Sequence, residues 1–311
     1  MHTGENARRQ DVGPELVSQS GVSGGFHNLW WLTGRMPPRH RDSLVVVTEE
    51  RHLRRVKNVL NALPCEYAAR QALVVTDTPP RTDVSVCLVN VAGEYVERLE
   101  VHPGKFRPEM LEPLVYPAMI NHVWWACERA PTTETLRATA RLADQIILDT
   151  LTDAPTLVAC PLSDLSWERG APWRALVART LDAHEYQVDL SGLERAVVRY
   201  MVGDDRPARL FAAWLMDRLD WEDVSRVQVV AVHSERGEGD LDGLEISGPD
   251  FFGLWDARAT DVRVRLTVHG SCQDRLLPLL PGSVVEGLAN LLSGPSDSSS
   301  QVLRLARSVV T

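Results

Sequence analysis

No two cysteines in the 311-residue chain are spaced C-x-x-C, and the five present (Cys65, Cys87, Cys127, Cys160 and Cys272) are scattered and odd in number. A zinc ribbon, a thioredoxin-type motif and a disulfide framework are therefore not expected, and the thiols fit a reducing compartment. Glycine-rich phosphate loops are missing too. There is no G-x-G-x-x-G and no P-loop, and "GVSGGF" at 21–26 does not sit between a strand and a helix. Neither G-x-S-x-G nor H-E-x-x-H occurs, and the nine histidines show no ligand spacing, so no cofactor and no metal are expected. No run approaches the ~18 apolar residues of a membrane span, and the first 30 residues hold no apolar signal core. The expectation is a soluble, cytoplasmic protein with no membrane partner. An excess of cations is also lacking: 33 Lys and Arg face 42 Asp and Glu, a net −9, which argues against nucleic acid as a partner. The one basic run, "RHLRRVK" at 51–57, reads as a solvated helix face.

What remains is an ordinary globular composition, 44% hydrophobic and 24% charged, enough to build a core without staples. At roughly 100–200 residues per domain, two domains are expected. The fold class read from the pattern is α/β (α+β mixed): two α/β domains with mixed sheets flanked by helices. "SLVVVT" (43–48) is a β-branched run, the mark of a strand buried on both faces. A helix follows, with Leu53, Val56, Val59, Leu60 and Leu63 on one face. "ALVVTD" (72–77) is a second strand, and "VSVCLVNV" with "YVERLEVH" pairs through Ala92-Gly93-Glu94. A helix is expected over 107–116, a strand over 120–127, a helix over 133–144 and a strand over 145–150.

In the second half, Pro172 suits a first helical turn, and Trp173, Leu176, Val177 and Leu181 share a face. Strands are expected at 193–202, 226–233, 241–248 and 261–270, with helices at 206–221 and 281–293. The expected division is a partly disordered N-terminal extension (1–40), an N-terminal α/β domain (41–160), a C-terminal α/β domain (161–293), and a linker with a short amphipathic tail (294–311).

Three isolated residues invite a chemical reading. Asp149 ends a strand, where ligand-binding carboxylates occur in open α/β sheets, although a turn cap explains it equally well. His122 lies inside an expected strand and reads as a satisfied core histidine. Cys127 has no clear electropositive setting and reads as a buried structural thiol.

Tryptophan is the informative residue. Aromatics total only 6%, yet nine are Trp, among them the pairs Trp30-Trp31 and Trp124-Trp125. Adjacent residues of a strand point to opposite faces, so Trp124 and Trp125 cannot both enter one core. Two more fall in "DLSWERGAPWRAL" (164–176), a stretch mixing tryptophan, arginine and acid around a Gly-Ala-Pro corner. Trp and Arg are the residues that most often anchor interfaces.

Taken in order, "SLVVVT", "LEPLVYPAMINHVWWAC", "RLADQIILDT", "DLSWERGAPWRALVARTLD" and "LFAAWLMDRLDW" resemble the OpcA-type glucose-6-phosphate dehydrogenase assembly proteins. The most specific segment matches D-L-x-W-x-R-x-x-P-W-R at Asp164, Leu165, Trp167, Arg169, Pro172, Trp173 and Arg174. The chain departs from the family's pattern where "INHVWW" lacks the usual proline and where "YAAR" replaces a histidine-proline segment.

The resemblance implies no enzymatic activity. It implies a partner that binds glucose-6-phosphate dehydrogenase, promotes its active oligomer and raises its affinity for substrate. Candidate partner-binding or domain-interface residues are Asp164, Trp167, Arg169, Trp173, Arg174, Trp124 and Trp125. The competing reading is a sugar-phosphate enzyme such as a lactonase or isomerase. That would require a phosphate-cradling loop and an acid–base pair, neither of which the sequence shows.

Overall fold

The computed structural model describes residues 11–37, 42–115, 119–149, 160–182, 189–233, 240–279 and 282–294. Among them, the residues through Asp149, those ending at Ser163 and those starting at Leu288 form one compact unit, and Asp164–Gly287 form a second. Residues 150–159, next to the expected boundary between the two domains, fall outside the described residues, as does nearly all of the expected C-terminal linker and tail.

The first unit is organised by β2 (Asp42–Glu49), whose Leu44, Val45, Val46 and Val47 are wholly buried. It pairs in parallel with β3 (Arg70–Thr76) on one side and β6 (Ile120–Ala126) on the other, Val45 standing opposite Ala72 and Val123. Between β2 and β3 runs α2 (Leu53–Ala62), with Val56, Val59 and Leu60 turned inward. Beyond β3 lie β5 (Glu94–Gly104), β4 (Val84–Val91) and the edge strand β1 (Val12–Val17). Beyond β6 lie β7 (Gln145–Leu148), reached through α3 (Thr133–Thr139), and β8 (Leu162–Asp164). The β4–β5 hairpin turns through Ala92 (φ 52°) and Gly93 (φ 96°). Both φ values are positive, as a mirror-type two-residue turn requires.

Two segments differ from the sequence reading. Residues 12–33 were expected in a loosely ordered extension. They form β1 and α1 (Val22–Thr33), because Phe26, Leu29 and Trp30 recur at helical spacing and bury. A Cβ on Gly25 would lie 2.9 Å from Val86, so glycine lets α1 settle onto β4. Trp30 Nε1 donates to Glu97 at 2.8 Å, and Glu97 pairs with Arg70 at 3.3 Å, which ties the helix to the sheet. The helix expected over 107–116 shrinks to a 3-10 turn, Pro108–Leu111. Pro113 carries no backbone N–H, so the ladder of hydrogen bonds is interrupted there.

The second unit starts with α4 (Leu165–Arg169) and α5 (Ala171–Leu181). Then come β9 (Arg195–Met201), α6 (Arg206–Arg218) and β10 (Val227–Val232), the last parallel to β9. Four antiparallel strands complete the sheet: β11 (Leu241–Gly248), β12 (Phe251–Ala257), β13 (Asp261–Val268) and β14 (Ser271–Pro278). Val198, Leu244, Trp255 and Val264 are buried, while alternate positions carry the ion pairs Arg199–Asp256 and Arg263–Asp274. The last described helix, α7 (Val284–Ser293), carries the buried Leu288 and Leu291, which belong to the first unit. Strands β12 and β14 were not read from the sequence. β12 carries Gly253 in mid-strand, which leaves room for the Trp255 ring, and β14 is a largely exposed, polar edge strand.

Candidate functional site

The stretch 164–174 is built as a two-helix corner. The Asp164 carboxylate accepts the Trp167 amide at 2.9 Å and so caps α4, a contact type worth about 1 kcal/mol. Pro172 sits in the first turn of α5, where its missing N–H costs nothing. The Arg174 guanidinium lies 3.5 Å from the centre of the Trp167 ring and donates to the Trp167 carbonyl at 2.5 Å. Burial lowers the Arg174 pKa to about 10 against the opposing pull of Glu168 and Asp164, so the cation persists at neutral pH. Trp173 packs edge-on against Phe211 of α6, with centroids 6.2 Å apart. Arg169 pairs with Asp240 at 3.2 Å. These contacts are all internal to the second unit.

Of the seven residues singled out in the sequence, four are buried, Asp164, Trp167, Trp173 and Trp124, and Arg174 is half-buried. Trp125 and Arg169 retain partial exposure. The Trp124-Trp125 pair splits as alternation demands. Trp124 is buried, and Trp125 meets Phe106 edge-on at 5.1 Å, with its Nε1 donating to the Arg129 carbonyl at 2.8 Å. His122 is buried and hydrogen-bonded through Nδ1 to Gln145 at 2.8 Å. Asp149 follows β7 directly.

Two concavities went unread in the sequence because their residues come from distant segments. In the second unit a groove of about 610 Å³ opens between α5 and the β13–β14 pair. Its walls include Pro172, Ala175, Leu176 and Arg179 on the helix and Leu266 and Leu277 on the strands. In the first unit a crevice of about 650 Å³ lies at the carboxyl ends of β2, β3 and β6. The chain leaves β2 for β3 on one side and later returns to β6 on the other, the switch point at which open parallel sheets hold ligands. Residue order alone gives one usable signal for it, since Glu49, Asp77 and Cys127 each stand at a strand end.

The crevice is not a dinucleotide cradle. Beyond β2 the chain passes through Glu50–His52 into α2 with no glycine, and Arg51 links Glu49 to Glu128 across the opening. The Cys127 thiol is held protonated at neutral pH. Burial, reinforced by Glu49 and Asp77, pushes its thiol up to about 12. Among the described residues no group of three His, Cys, Asp or Glu side chains is placed to hold a metal, and no helix is long and apolar enough to cross a membrane.

Residues 160–299 match the family model for the C-terminal domain of the glucose-6-phosphate dehydrogenase subunit, of the OpcA type. The OxPP cycle protein OpcA of Nostoc punctiforme is 24% identical over 160 residues, 44% of this chain and 34% of that protein. The corresponding protein of Synechocystis is 25% identical over 160 residues, with the same coverage. The match thus spans about a third of these relatives' length. Among solved structures, KijD10, a 3-ketoreductase from Actinomadura kijaniata crystallised with NADP and TDP-benzene, superposes with a TM-score of 0.52. That likeness covers 86% of this chain and 96% of the reductase at 13% identity, which is a likeness of fold alone. Residues 160–299 therefore match the C-terminal domain of the OpcA-type glucose-6-phosphate dehydrogenase subunit, and the chain is similar over that part to the OpcA proteins.

Proposed function

We propose that the chain is a non-enzymatic partner of glucose-6-phosphate dehydrogenase in the oxidative pentose phosphate cycle, one that promotes its active oligomer and raises its affinity for glucose 6-phosphate. The observation that carries this reading is the match of residues 160–299 to a domain named for that dehydrogenase. Two features of the crevice support it: the glycine-free exit from β2, and a thiol held in its neutral form.

The corner motif then serves as scaffold. Its Trp and Arg side chains fix α5, and α5 presents one wall of the groove. We place the dehydrogenase contact in that groove. An apolar segment of the enzyme would enter between Leu176 and Leu277, with an acidic group meeting Arg179 at the rim. The energetics asked of such a contact are small. A surface that binds the active form ten times more tightly than the inactive form supplies about 1.4 kcal/mol of coupling.

Size-exclusion chromatography of the chain mixed with glucose-6-phosphate dehydrogenase from the same organism tests the association. The expected result is a shared peak larger than either protein alone. Independent elution at micromolar concentrations of both would contradict the reading.

A further inference from the structure

The crevice of the first unit carries a charge arrangement that its own packing leaves unused. Glu49, Arg51 and Glu128 satisfy one another. Lys105, Arg129 and Asp77 also line the crevice, and among the described residues none of the three is in an ion pair. Two cations and one carboxylate thus face the same space with no counter-charge bound to them there. Beside them stand the Trp125 and Phe106 rings, locked edge-to-face, with the Trp125 indole N–H held by the Arg129 carbonyl. Thr76, buried in the wall, donates its hydroxyl to the Thr48 carbonyl at 3.2 Å.

From this we propose that the crevice binds a small phosphorylated polyol: a hydroxyl-bearing ring carrying one phosphate monoester. Each part of such a ligand has a counterpart. A phosphate dianion is met by Lys105 and Arg129, exposed at the rim, through charge-assisted hydrogen bonds. Asp77 follows the second parallel strand directly, held at φ 61° with its amide on the Gly104 carbonyl. A carboxylate at that position in doubly wound sheets accepts from neighbouring ring hydroxyls. Trp125 and Phe106 offer aromatic surface to the apolar face of a sugar or a base.

The polarity of the crevice orients the ligand. Glu49 and Asp77 make the neighbourhood of Cys127 electronegative, so the phosphate seats at the rim and the hydroxyls point to the floor. A dinucleotide is disfavoured, because the Glu49–Arg51–Glu128 network lies where a pyrophosphate would need bare backbone amides. The site does not depend on the dehydrogenase contact proposed above.

Calorimetric titration of the full chain provides the test, with glucose 6-phosphate and adenosine monophosphate as probes and inorganic phosphate and glucose as controls. Saturable binding of one of the two esters is expected, at least about tenfold tighter than either control. Whichever ester binds identifies the source as sugar phosphate or nucleotide. The K105A/R129A double variant should lose about tenfold or more in ester affinity. D77N should weaken the ester several-fold and leave inorganic phosphate unchanged. Because all three residues are exposed, the variants should melt within a few degrees of the parent, and K105Q alone repeats the test with less perturbation. Three results would overturn the site: no saturation by either ester below about 10 mM, unchanged ester affinity in the double variant, or inorganic phosphate binding as tightly as the esters.

Discussion

Replacing Trp173 by alanine is expected to cost roughly 3–5 kcal/mol, the range for deleting a buried aromatic side chain. Trp173 keeps only 6% of its surface and packs against Phe211, which itself packs against Trp214 at 5.3 Å. The loss approaches the whole stability of many domains, roughly 5–15 kcal/mol, so the second unit should unfold at a much lower urea midpoint. Arg174 would be affected indirectly, because α5 positions it over Trp167. By contrast Arg169→Ala removes a partly exposed ion pair with Asp240, and about 1 kcal/mol or less is expected. A Trp173→Ala variant with an unchanged urea midpoint that nevertheless fails to bind the dehydrogenase would show that this side chain contacts the partner instead.

The second large effect concerns the groove. Ala175 and Arg179 are exposed on α5 and line it. Ala175→Trp fills the space, and Arg179→Glu reverses the charge at its rim. Neither touches the core, so the combined variant should lose little stability. The main cost is a few tenths of a kcal/mol to about 1 kcal/mol from an acid near the helix C-terminus. Its affinity for glucose-6-phosphate dehydrogenase should fall at least about tenfold, equivalent to ~1.4 kcal/mol. Equal binding by the variant and the parent would move the contact away from the groove.

Much of the architecture was legible from residue patterns, and the reasons are physical. Val45, Val46 and Val47 are buried on both faces of β2, so a continuous apolar run sufficed to identify a central strand. The helices α2, α5 and α6 carry apolar residues at a 3.6-residue period. Elements whose stability comes from context were harder to see. Residues 12–33 looked polar and glycine-rich, but Gly25 is what lets α1 approach Val86. β14 has no apolar alternation because it sits at the sheet edge.

The site followed the same division. The Trp-Arg motif is contiguous and stood out, yet composition could not say that Trp167 and Arg174 stack on each other within one unit. Lys105, Arg129 and Asp77 lie far apart in the chain, and only the parallel sheet brings them to one opening. No spacing rule in a single sequence marks such a set.

The central claim is that this chain changes how its partner handles substrate. It is tested most directly by titrating the chain into glucose-6-phosphate dehydrogenase from the same organism and following initial rates at low glucose 6-phosphate. The account predicts a saturable fall in apparent KM, about tenfold per 1.4 kcal/mol of coupling, that is lost with the Ala175→Trp/Arg179→Glu variant. Rates that stay flat across the titration, in oxidising and reducing buffer alike, would contradict it.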